Sequence, residues 1–168
     1  MSNDFIRLPI LYITLCVLQV FVFNHIHLFG CIMPLTYIYF IVAMRKGTPR
    51  WLMLALAFIM GLTLDVFTNT PGVTSAAMTI AAMAHPYLLD LFISREGEDR
   101  FIASMSTLGT KPFVNFVIVL VGGYCTIFYS LEMFNFFNML QWIECVVGST
   151  ILTTALILAA DRLLHRKD

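Results

Sequence analysis

A single all-α domain of six membrane-crossing helices is the architecture this sequence predicts, and three observations carry it. Of the 168 residues, 60% are hydrophobic and only 12% charged, with a mean hydropathy of +0.86; a soluble domain carries roughly a quarter charged residues. Six apolar stretches follow one another, each near the roughly 20 residues that a helix needs to cross the hydrocarbon layer. The basic residues alternate between the gaps. The second and fourth gaps hold Arg45, Lys46, Arg50, Arg95, Arg100 and Lys111, and the odd-numbered gaps hold no Lys or Arg. Arg7 ahead of the first stretch, and Arg162, Arg166 and Lys167 at the end of the last, complete the ten. Basic residues near short loops are retained in the cytoplasm, so both termini and the second and fourth loops are expected inside.

Leu8 to Phe23 is the first span. Asn24, His25, Ile26 and His27 follow it with no small-x-small cleavage site, so it is expected to remain as a helix rather than leave as a signal peptide. Leu28 to Met44 is the second. Gly30 and Pro34 interrupt its outer third, which predicts an outer half-turn or a broken helix there. The third runs from Trp51 to Phe67, the fourth from Thr74 to Ile93, the fifth from Phe113 to Leu131 and the sixth from Leu140 to Leu164. Trp51 and Trp142 stand at span boundaries, where an amphipathic ring favours the headgroup layer.

The longest polar segment, Ser94 to Lys111, is too short to house a nucleotide-binding or catalytic domain, and the chain contains no P-loop or nucleophile elbow. Any ATP-driven step therefore falls to another subunit. A formal net charge of zero gives no reason to expect nucleic acid as a partner; membrane lipids are the expected surroundings. No cofactor is expected. Cys16, Cys31, Cys125 and Cys145 have no metal-like spacing and read as small apolar filler. A metal centre would need His25, His27 and Glu144 to converge, which nothing in their spacing demands.

Ionisable groups inside apolar spans are costly, about 2.5 to 3.5 kcal/mol at the bilayer centre, so each needs a reason. Asp65 lies in the last turn of the third span, on one helical face with Gly61 and Asn69. Two readings stand. Either its carboxylate bonds the polar loop of Thr68, Asn69, Thr70, Pro71 and Gly72, ordering a turn or a partner's helix end, or it reaches water at the interface. His85, beside the helix-breaking Pro86, reads as a satisfied core histidine at a kink rather than a proton relay. Asp90 is expected to pair with Arg95 or Arg50. Glu144 and Asp161 lie near the ends of the sixth span and read as solvated. A membrane-embedded enzyme would need two convergent polar groups, for which Asp65 and Glu144 are the available pair.

Small residues recur at helix-packing spacing: Gly122 with Thr126 in the fifth span, and Gly148 to Thr150 with Leu152 to Thr154, followed by Ala155 and Ala159, in the sixth. Such rows let helices approach closely in lipid, within this bundle rather than across a seam to another chain. Phe134 to Met139 reads as an interfacial aromatic shelf.

The run Gly61, Leu62, Thr63, Leu64, Asp65, Val66, Phe67, then Thr70, Pro71, Gly72 and Ser75, Ala76, Ala77, resembles the signature of the rod-shape-determining MreD family. Length, six spans, inside termini and a basic end are similar as well. The resemblance implies a non-enzymatic scaffold of the cell-elongation machinery in the bacterial cytoplasmic (inner) membrane. Its implied partners are an MreC-like bitopic protein, an MreB-like filament, and a RodA-like polymerase with its transpeptidase. It also implies a bundle resembling the S components of energy-coupling-factor vitamin transporters, which supplies the alternative function, a substrate-binding transporter subunit. The scarcity of polar groups in the inner halves of the spans, and the absence of an Ala-x-x-x-Ala row in the first, favour the scaffold.

Overall fold

The structure is a computed structural model that describes residues 2–22, 33–92, 102–133 and 139–164. Its elements are α1 (Ser2–Phe21), a 3-10 turn (Thr36–Ile38) running into α2 (Tyr39–Val42), α3 (Arg50–Thr68), α4 (Val73–Phe92), α5 (Met105–Leu108), α6 (Thr110–Glu132) and α7 (Met139–Leu164). No strand occurs among the described residues; Arg45 and Ile102 form an isolated antiparallel bridge. Three helices, α3, α6 and α7, are long and apolar enough to cross a membrane, and Leu8–Phe21 within α1 is a shorter apolar helix.

Helices α3, α4, α6 and α7 pack in chain order, and α1 lies against α3. Their core is apolar, and unlike that of a soluble bundle their outside is apolar as well. On α4 the buried side holds Thr74, Ser75, Ala77, Met78, Ala81, Ala82, His85 and Leu89, while Ile80, Met83, Tyr87 and Leu91 are exposed. The outside of α1, α3 and α7 is likewise apolar, with Ile13, Phe21, Phe58, Val66, Leu140 and Ile151 exposed. Contiguous apolar surface on this scale is not left bare to water. A close small-residue contact such as Gly61 against Ser75, together with a large apolar outside, is compatible with helices packed in lipid.

The second predicted span is not a spanning helix over its described part. Residues 33–35 are irregular, the 3-10 turn follows, and α2 lasts four residues. The break foreseen at Pro34 therefore extends through Leu35. The cause is burial: every residue from Pro34 to Met44 is buried, Ile38, Ile41 and Val42 completely. A segment apolar on all sides is either a lipid-facing helix or a core element, and here it is the core. The segment touches α1, α3, α4 and α7 through the turn and α2.

Irregular backbone at this depth needs partners for its amides, and side chains of α1 and α7 supply them. The Met33 amide donates to Ser149 Oγ (3.2 Å) and the Leu35 amide to Thr153 Oγ1 (3.0 Å). Gln19 Nε2 donates to the Pro34 carbonyl, and Gln19 Oε1 accepts from the Thr36 hydroxyl, both at 3.1 Å. Along α7 the buried positions Cys145, Ser149, Thr153, Ile157 and Asp161 recur every four residues, a stripe that turns Ser149, Thr153 and Asp161 inward.

Basic residues gather at one end. Lys46 pairs with Asp90 at 2.9 Å, and the Arg50 guanidinium donates to Tyr87 Oη and lies over its ring. Asp90 thus pairs with Lys46 rather than with the expected Arg50; Arg95 lies outside the described residues. At the same end Asp161 departs from the solvated carboxylate expected: it is buried and accepts the Met105 amide at 2.9 Å, at the start of α5. The polar segment ahead of α6 is accordingly folded onto the bundle at Ala103 and Ser104, both buried.

Candidate functional site at the Asp65 turn

At the opposite end, α3 stops where Asn69 adopts the left-handed conformation (φ 56°, ψ 32°) and returns its amide to the Asp65 carbonyl. Pro71 and Gly72 make the turn; Gly72 has φ +88°, open to glycine and strained for any other residue. α4 then starts at Val73 with its first amides lacking intrahelical partners. Asp65, only 3% exposed, meets that need. Oδ1 accepts the Thr74 amide (2.8 Å) and the Thr70 hydroxyl (3.2 Å). Oδ2 accepts the Ser75 amide (3.0 Å) and the Gly72 amide (3.2 Å). Of the two readings of Asp65, the geometry is that of the carboxylate bonded to its loop, extended to the first turn of α4.

Four donors fill the roughly four lone-pair sites of a carboxylate. The negative charge also sits at the positive end of the α4 dipole, a favourable placement for it. Chemically, this is a saturated cap. Of the pair that an embedded enzyme would draw on, Asp65 is enclosed by its own donors and Glu144 lies exposed on α7.

Gly61, one turn before Asp65, has a separate job. A Cβ there would run into the Ser75 backbone, meeting Ser75 Cα and lying 2.8 Å from its nitrogen and 2.9 Å from the Thr74 carbonyl oxygen. Only glycine lets α3 come this close to α4, which is what brings the Asp65 oxygens within reach of the α4 amides. Gly61, Asp65, Pro71 and Gly72 are thus one device, and Asn69 closes the α3 side of it while its side chain is exposed.

The remaining candidates lie apart. His85 is the expected core histidine, buried inside α4 next to Pro86 and edge-on to the Phe116 ring at 5.5 Å, but it is not the satisfied one expected, because its Nε2 has no hydrogen-bond partner among the described residues. His25, His27 and the Phe134–Asn138 part of the aromatic shelf fall outside the described residues. No metal-competent cluster of His, Cys, Asp or Glu occurs among the described residues. Gly122 faces Thr150 of α7, whose methyl carbon lies 3.7 Å from where a Cβ would be, so this small residue serves packing within the chain. Cys145 departs from the apolar-filler reading because it is disulfide-bonded; Cys16 and Cys125 are free and buried.

Two features were missed at the level of sequence. Tyr37 and Tyr124, both buried, share a hydrogen bond between their hydroxyls at 2.5 Å, and Tyr129 bonds Ser149 at 2.6 Å. Beside the Asp65 turn lies a cavity of about 190 Å³ whose polar lining is Gln19, Tyr37, Thr68, Thr70, Thr74 and Glu132. These residues come from α1, the 3-10 turn, α3, the turn after it, α4 and α6, too far apart in the chain for any local pattern to signal them together. Comparison with protein-family models, with curated proteins and with solved structures finds no match.

Proposed function

We infer that this chain is a six-crossing scaffold of the bacterial cell-elongation machinery, as its likeness to the MreD family suggests. The observation that carries the reading is the folded form of the signature from Gly61 to Ala77. Its glycine, carboxylate and Pro-Gly turn interlock as one rigid connection between α3 and α4, with no reacting group left over. A scaffold needs such a fixed outer corner; a catalyst needs an available one. Five long helices plus the buried 33–44 segment provide the six crossings, the second being an internal one shielded from lipid.

The clustering of Lys46, Arg50 and Asp90 at one end supports a cytoplasmic placement of that end, by the retention of basic loops. The disulfide at Cys145, near the start of α7, supports an oxidising compartment on the other side. In this reading the bundle holds the membrane helices of an MreC-like protein and of a polymerase with its transpeptidase, and couples their position to a cytoplasmic filament. The cavity beside the turn favours one second reading, the substrate-binding subunit of a transporter. Depleting the chain in its own host separates the two. Rods that round up under the microscope support the scaffold; rods of unchanged shape with a nutrient-uptake defect replace it with the transporter.

A further inference from the structure

We propose that the outward face of α7 from Glu144 to Arg162 docks one membrane-crossing helix of a partner protein, a helix that brings a basic or amide side chain level with Glu144. The inference rests on α7 crossing the membrane and on neither the scaffold nor the transporter reading.

At about 100° per residue, Glu144, Gly148, Ile151, Ala155, Ala159 and Arg162 fall within an arc of roughly 80°. Five of the six are exposed and Gly148 is half-buried, on the side of α7 away from its contacts with α6 and the 3-10 turn. The small-residue row of the sixth span therefore divides on folding. Ser149, Thr153 and Thr154 turn into the bundle, whereas Ala155 and Ala159 turn out of it with Gly148 at the edge. Other outward faces carry large side chains, among them Ile13 and Phe21 on α1, Phe58 on α3 and Met83 on α4. Small side chains on an outward face let a second helix bring its backbone close, the contact that drives association in lipid.

Charge is the second observation and selects the occupant. Glu144 and Arg162 stand roughly 27 Å apart along the axis, about the thickness of a hydrocarbon core. Neither side chain enters an ion pair or a hydrogen bond among the described residues. Arg162, at the inner end, reaches the headgroup layer with its long stem. Glu144 lies five residues into α7, roughly 7.5 Å from its start, where a carboxylate that loses its water to a neighbour needs a donor in exchange. A basic or amide side chain on the docked helix supplies that donor and fixes its depth. The same charges decide against a second copy of the chain. Two copies joined by this face about an axis normal to the membrane set Glu144 beside Glu144 and Arg162 beside Arg162, with nothing to offset either pair.

The test is photo-crosslinking of the full chain in its native membranes, with a benzophenone amino acid at Ile151 on the stripe or at Met83 on α4, and sequencing of the cross-linked peptide. Expected from Ile151 is one adduct to an apolar segment of roughly 20 residues that carries Lys, Arg, Asn or Gln within a turn of the level of Glu144; Met83 does not give it. Glu144→Leu and Ala155→Leu each lower that adduct about threefold or more, the scale of one average hydrogen bond between membrane helices. Both positions are exposed, so both variants should unfold at the temperature of the parent chain, which separates lost docking from lost fold; where one unfolds early, Ala159→Leu takes its place. Adducts to lipid alone, to a second copy of the chain or to a segment without such a donor, the same adduct from Met83, or an undiminished yield in both variants would each overturn the proposal.

Discussion

Asp65 combines three physical roles that a single substitution separates. It is a buried charge, an acceptor for four donors, and the counter-charge of the α4 N-terminus. Asp65→Ala removes all three and leaves three amides unanswered, so the expected loss is about 3 kcal/mol or more. Asp65→Asn keeps one acceptor oxygen but turns an amide toward Gly72 or Thr74, and should cost roughly half as much. Unfolding titrations in mixed micelles check both; a loss below about 0.5 kcal/mol for the alanine variant would mean that water replaces the carboxylate freely. Gly61→Ala should cost about 1–3 kcal/mol through overpacking against the Ser75 backbone, measured the same way. His85 gives the opposite sign. Its Nε2 is buried without a partner among the described residues, so His85→Phe, edge-on to Phe116, should leave stability unchanged or raise it. A proton relay would instead lose function at full stability.

At the level of elements, the instructive part is the segment from Met33 to Met44. Hydrophobicity marked it as a span, since a run that is apolar all round looks the same whether lipid or protein surrounds it. The partners that decide between the two are far away in the chain: Gln19 on α1, Ser149 and Thr153 on α7. Sequence separation hides them, and the small size of Ser149 and Thr153 suggested only helix packing. The long helices were legible because each carries its own signal. The predicted third span, Trp51 to Phe67, differs from α3 by one residue at either end. Likewise the Gly61-to-Gly72 device was legible in outline because its parts are local, whereas the cavity, assembled from five separate elements, was not. Ser149→Ala with Thr153→Val orphans the Met33 and Leu35 amides. The pair should cost about 1–3 kcal/mol per amide and speed hydrogen exchange at residues 33–38 above all; uniform exchange throughout the bundle would contradict a local tie.

Across the whole molecule, polarity runs inward and end to end rather than outward. Large apolar residues both fill the core and cover the outside, hydroxyl-bearing ones are tucked between the helices, and two buried carboxylates, Asp65 and Asp161, accept helix-start amides at opposite ends. This organisation predicts a fixed sidedness. A cysteine introduced at exposed Asn69 should react with an impermeant maleimide from outside intact cells, and one at Thr48 only after the membrane is opened; the reverse pattern would invert the topology. The scaffold reading adds that Asp65→Ala should loosen partner binding along with the outer corner, seen as lost copurification at normal expression.

The most direct measurement of the central claim is affinity purification of the intact chain from native membranes in mild detergent, with every copurifying protein identified by mass spectrometry. The account predicts a single-span protein with a periplasmic coiled coil, together with a glycan polymerase and its transpeptidase. Recovery instead of paired ABC ATPases with a coupling subunit would contradict it and make the chain a transporter's substrate-binding component.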